Sequence, residues 1–179
     1  MAPDLAPLLL YLVLGAALAI SLVTDLRSRL ILDVVTLPTA AIALGVRFAL
    51  VGWGGDWGLA SGLVGAVIGL GVFLAPAWLG GMGMGDVKLM GAVGAALGLR
   101  LLPQALVAVA LAGGLLALVV MIRAGAVGRT LRRVALLLLP AALRRRLGPA
   151  AVEEPIFLPY GVAIAAGTAA TILLQGIGR

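Results

Sequence analysis

Asp25 and Asp86 are acidic residues placed where a carboxylate is costly, at the edges of long apolar runs with basic residues beside them. Asp25 follows the run Ala6–Val23 and precedes Arg27 and Arg29. Asp86 follows the glycine-rich stretch Gly80-Gly81-Met82-Gly83-Met84-Gly85 and stands two residues before Lys88, the only lysine. An ionisable group at a membrane boundary marks a functional site by default. Two carboxylates brought within a few ångströms cannot both ionise cheaply, so they share a proton. One can then activate water as a general base while its protonated partner polarises a carbonyl. That chemistry is peptide-bond hydrolysis, and it needs neither metal nor cofactor. Gly83 and Gly85 suit such a site because they allow unusual backbone angles and the close approach of an extended substrate.

Composition removes the alternatives. The chain has no cysteine and no histidine. This excludes disulfides, thiolate nucleophiles, Ser-His-Asp and Cys-His catalysis, and zinc or haem held by histidine. In a soluble protein the net charge of +6 would suggest nucleic acid. Here the basic residues cluster between apolar runs, which points to membrane topology and anionic lipid as partners and away from nucleic acid.

The elements that must position the acids are membrane helices. Of 179 residues 63% are apolar and only 11% charged, with a mean hydropathy of +1.23. A soluble domain is nearer half apolar and a quarter charged. No Lys or Arg precedes Ala6–Val23, so it reads as a retained helix rather than a cleaved signal peptide. The second span runs from about Ile31 to Val51 and carries Asp33, Pro38 and Arg47. A turn containing Trp53 and Trp57, which suit a membrane interface, leads to the third span, Leu59–Leu79. The fourth helix runs from about Asp86 to Leu99, and Arg100 and Pro103 mark a turn before the fifth, Gln104–Ile122. Gly62, Gly65, Gly69 and Gly71 on the third and Gly91, Gly94 and Gly98 on the fourth form small-residue faces for close packing. The arginines from Arg123 to Arg146 surround Val134–Leu143, about half the length a bilayer requires, which is expected to lie in the interface. The last span is Ile156–Ile177. The expectation is one all-α integral-membrane domain over 1–179, with about six transmembrane helices and a short basic interfacial segment.

Lys and Arg concentrate in the loops after spans one, three and five. The opposite side holds only Arg47, Arg100 and Arg179. The positive-inside rule therefore puts both termini outside the cell and Asp25 and Asp86 together at the cytoplasmic face.

Blander readings exist for each residue. Asp86 before a helix suits an N-cap, and Asp25 could simply offset Arg27 and Arg29. Lys88 reads as a snorkelling anchor, since residues two apart on a helix point apart. Met82, Met84 and Met90 read as packing, Asp33 as a helix cap, and Pro159-Tyr160-Gly161 as a helix-start turn.

Taken together, the motifs resemble a known family. Gly83-Met84-Gly85-Asp86-Val87-Lys88-Leu89-Met90 is similar to the GxGD-x-K-L signature of type IV prepilin leader peptidases. Asp25-Leu26-Arg27-Ser28-Arg29-Leu30-Ile31 resembles their first catalytic segment, and Leu158-Pro159-Tyr160-Gly161 the start of their final helix. Where the family has Pro-Asn this chain has Leu32-Asp33, which adds an acid near Asp25. The resemblance implies an aspartic endopeptidase of the cytoplasmic (inner) membrane, with Asp25 and Asp86 as the dyad. Gly83, Gly85, Lys88, Pro159, Tyr160 and Gly161 would shape the site. The implied partner is a prepilin or pseudopilin whose leader is cut on the cytoplasmic side just after a glycine. Its apolar helix would lie against the small-residue faces. The larger bifunctional members carry a cysteine-bearing extension associated with N-methylation. This chain resembles the short peptidase-only members, so methyl transfer is not expected of it.

Two rivals make different expectations. Presenilin-like and signal-peptide-peptidase-like intramembrane proteases share GxGD but set their first Asp deeper, and they use a Pro-Ala-Leu element absent here. A non-enzymatic transporter or assembly-platform subunit would carry polar groups near mid-membrane and detectable repeats.

Overall fold

The computed structural model of the chain describes residues 5–28, 30–123, 125, 128 and 160–177. Regular structure among them is helical throughout: α1 (Leu5–Ser28), α2 (Asp33–Leu50), α3 (Leu59–Trp78), α4 (Met84–Arg123) and α5 (Tyr160–Ile177). The first four are long and apolar enough to cross a membrane, and α5 is a shorter apolar helix. The chain divides into two compact units, Met1–Gly113 with Pro159–Arg179, and Gly114–Leu158. In the second, the described residues are the last turns of α4, whose Leu115, Leu118 and Ile122 are exposed, together with Gly125 and Gly128. The expected interfacial segment Val134–Leu143, the other arginines from Arg129 to Arg146, Glu153, Glu154 and Pro159 lie outside the described residues.

The fourth and fifth spans are two limbs of α4, joined at Gly98 with φ 65° and ψ −175°. The turn expected at Arg100–Pro103 is therefore displaced. A proline removes one donor and need not end a helix, whereas a residue at this φ and ψ has left the helical region altogether. Every residue from Asp86 to Gly98 except Lys88 is buried. The limb is apolar on all sides, as a central helix must be. Leu10, Leu14 and Leu18 of α1, Ala43 of α2 and Ile164 of α5 complete the core around Leu89, Met90, Val93 and Leu97.

α3 and α4 meet backbone to backbone. A Cβ on Gly65 would run into the Gly94 carbonyl, one on Gly94 into the Gly65 carbonyl, and one on Gly69 into the Met90 carbonyl. Gly91 faces the Leu70 side chain, while nothing lies within 4 Å of a Cβ on Gly71. These small-residue faces are thus spent on each other and are not open to a substrate helix.

Arg47 is wholly buried rather than a loop-side charge. Its Nε donates to the Ala95 carbonyl at 2.8 Å and a terminal nitrogen to the Ala96 carbonyl at 2.8 Å. The other terminal nitrogen donates to the Gly58 and Asp56 carbonyls at 3.2 and 3.3 Å. The break at Gly98 orphans the last carbonyls of the first limb, and the guanidinium caps them. Gly62 and Gly98 make room for it: a Cβ on Gly62 would lie 2.6 Å from the arginine Cδ, and one on Gly98 2.7 Å from its Nη2. Trp57 packs its ring 5.5 Å from the guanidinium and edge-on to Tyr11, so it belongs to this buried cluster, while Trp53 is exposed.

Candidate active site

Asp25 lies in the last turn of α1 and is buried, with 5% of its surface exposed. Ser21, one turn earlier on the same helix, is also buried. Among the described residues, neither Ser21 Oγ nor Asp25 Oδ2 has a hydrogen-bond partner. The start of α5 presses on the carboxylate. The Gly161 amide is near enough to polarise it, although Oδ2 receives no bond of good geometry. A Cβ on Gly161 would lie 2.6 Å from Oδ2, so the glycine of Pro159-Tyr160-Gly161 does more than start a helix.

The glycines before Asp86 divide their tasks. Gly80, at φ 76°, reverses the chain after α3: its N–H donates to the Ala77 carbonyl and that of Gly81 to the Pro76 carbonyl. This is the paired C-terminal closure for which a left-handed glycine is required. Gly83 and Gly85 need no such angle. The Gly83 N–H donates to Asp86 Oδ2 at 3.2 Å, while the Asp86 N–H donates to the Gly83 carbonyl at 3.2 Å. Asp86 is therefore not the N-cap but the third residue of α4, reaching back to the free N–H before the helix as the acid of a capping box does. Gly85 is a close-approach site, where a Cβ would stand 2.8 Å from Ile31 Cβ and 3.1 Å from the Ile31 carbonyl.

Lys88 is an ion-pair partner rather than a free anchor. Its Nζ lies 2.6 Å from Asp33 Oδ2, with both side chains partly exposed. Asp33 opens α2. The third acid near Asp25 is thus engaged with the lysine. Met90 is buried as expected of a packing residue, but Met84 is exposed.

Three segments far apart in sequence converge here. Ile31 touches Gly85, Asp33 pairs with Lys88, and Gly161 touches Asp25. Tyr160 is half-buried at the first position of α5. Among the described residues, no three His, Cys, Asp or Glu side chains gather as a metal site would need. The arrangement buries two carboxylates on separate helices, each with glycine backbone against it.

The sequence of residues 12–118 matches the model of the type IV leader peptidase family. Two curated relatives, each a prepilin leader peptidase/N-methyltransferase of Burkholderia pseudomallei (strains 1026b and K96243), are 32% identical over 177 residues. The alignment covers 95% of this chain and 47% of each relative, so the chain spans about half the length of the curated relatives it matches. No solved structure matches the chain. With the family match spanning both acids and more than half of the sequence, the chain belongs to the type IV leader peptidase family.

Proposed function

We propose that this protein is a membrane aspartic endopeptidase that removes the N-terminal leader from prepilin-like, type IV or Flp-type substrates, with Asp25 and Asp86 as its dyad. One observation carries the reading: the fold buries two carboxylates on separate helices, Asp25 with the Gly161 backbone against it and Asp86 with the Gly83 N–H on its Oδ2. One carboxylate takes a proton from water as its oxygen attacks the scissile carbonyl, and the protonated partner donates to the carbonyl oxygen. Collapse of the tetrahedral species breaks the C–N bond, and the leaving amine takes the proton. Gly83, Gly85, Tyr160 and Gly161 shape the site, with Pro159 beside them in sequence. Lys88 acts through Asp33 by tying the starts of α2 and α4. The proposal covers hydrolysis alone, at the cytoplasmic face of the inner membrane with both termini outside. The loop arginines support that orientation, and it holds with Arg47 removed from the count, since this residue is buried.

The test is cleavage of a prepilin with a short basic leader in liposomes by wild type, Asp25→Asn, Asp86→Asn and Asp33→Asn. Cleavage by wild type and Asp33→Asn alone is the expected result. Activity in Asp25→Asn would remove that residue from the mechanism, and an inert, folded wild type would overturn the enzyme reading.

A further inference from the structure

An apolar groove of about 510 Å³ runs between α1 and α5. Its walls come from one face of each helix, including Gly15, Ala19 and Leu22 on α1 and Val162, Ala166 and Ala169 on α5. The spacings of three and four residues place them in line along each helix. From Tyr11 to Leu22 the α1 wall extends about 16 Å, or three helical turns.

One end of this groove lies within a helical turn of the site along both helices. Leu22 stands one turn before Asp25, and Val162 immediately follows Gly161, whose backbone lies against the Asp25 carboxylate. Small residues line the middle, which lets another backbone approach closely in a bilayer. The other small-residue faces are already occupied, because α3 and α4 are packed glycine to glycine. The lining is almost entirely apolar, so it suits a membrane-spanning segment and not a charged leader.

We infer that this groove docks the apolar helix of the protein substrate, holding its membrane-boundary end against Asp25. The inference rests on the peptidase reading and adds the place where the substrate's span binds. An apolar helix laid along three turns ends where the groove ends, so seating the span also brings the adjoining extended peptide to the dyad. Docking thereby supplies the orientation that the small catalytic site does not provide by itself.

The test uses two substrates, a full-length prepilin in liposomes and a soluble peptide covering only the leader junction. Ala166→Trp fills the groove, and Val67→Trp places the same bulk on an exposed position of α3. Ala166→Trp is expected to lower kcat/KM for the full-length substrate at least tenfold more than for the junction peptide, mainly through KM. Val67→Trp is expected to change neither. Equal loss on both substrates, or no loss on either, would overturn the docking.

A second measurement is independent of turnover. The chain has no cysteine, so Ala166→Cys in an Asp86→Asn background carries a single thiol. A bismaleimide should join it to a cysteine placed in the substrate's apolar helix. Crosslinking only between two copies of this chain would assign the groove to self-association, and no crosslink to either protein would assign it to lipid; both overturn the inference. Failure of wild type to cleave either substrate would overturn the peptidase reading, while the crosslink still decides whether the helix docks.

Discussion

The backbone of Gly161 rests on the carboxylate of Asp25: a Cβ there would stand 2.6 Å from Oδ2 and 3.0 Å from Cγ. This contact joins the end of α1 to the start of α5 and sets the position of one of the two acids. Gly161→Ala must push the carboxylate aside or shift α5. A misplacement of about 1 Å in a group proposed as catalytic can cost about 100-fold in rate. We expect kcat/KM for leader cleavage to fall by about one to two orders of magnitude, with the protein still folded. An alanine variant cleaving at the wild-type rate would show that the contact does not place Asp25.

The Asp33–Lys88 pair separates the two acids near α1 by role. It is partly exposed, so it stabilises by only about 0.2–1 kcal/mol. Asp33→Asn and Lys88→Met are each expected to retain cleavage within about tenfold of wild type, since neither group is assigned to the dyad. A double-mutant cycle on Tm should give a coupling no larger than the range above. Complete loss of activity in Asp33→Asn would transfer the catalytic role to Asp33.

Arg47 is a buried side chain that holds the break in α4, beside Ser61, whose hydroxyl accepts the Leu99 N–H at 3.0 Å. Arg47→Met removes the donor from the Ala95, Ala96 and Gly58 carbonyls, and each unsatisfied buried group costs about 1–3 kcal/mol. Arg47→Lys should be intermediate, because a point-charge ammonium does not reproduce the fork of the guanidinium. Thermal unfolding in detergent, followed by tryptophan fluorescence with Trp57 beside the guanidinium, should rank wild type above Lys and Lys above Met. A methionine variant as stable as wild type would show that the carbonyls need no such cap.

Two glycines two residues apart on α3 make an internal comparison. Gly69→Ala forces a methyl into the Met90 carbonyl, and overpacking of this kind costs about 1–3 kcal/mol or more. Gly71→Ala meets nothing within 4 Å and should be neutral or stabilising by up to about 1 kcal/mol, through the unfolded chain. The check is Tm of both variants in the same detergent. Equal losses would mean that α3 and α4 are not in backbone contact.

Much of this arrangement was readable from local pattern. The helices follow from uninterrupted apolar runs, because a bilayer selects length and hydrophobicity with little regard to partners. The glycine spacing on α3 and α4 announced their packing, and all but Gly71 of the named positions find a neighbour there. The motif segments around Asp25, Asp86 and Gly161 could be singled out by residue type. That they lie at one place could not, since the contacts joining them are long-range.

Tertiary structure decided the rest. Arg47 looked like a boundary charge because a sequence does not show depth; the carbonyls that hold it lie 48 and 49 residues further along. Asp33 looked like a competitor to Asp25 until Lys88, 55 residues away, was found paired with it. Glycine type alone also did not say which glycines turn the chain, as Gly80 and Gly98 do, and which admit a neighbour, as Gly85 and Gly161 do. The sequence by itself determined where helices form, because that depends on each segment's own affinity for the bilayer. Which charge meets which partner depends on the packing of distant segments, and only the folded chain brings those groups within reach.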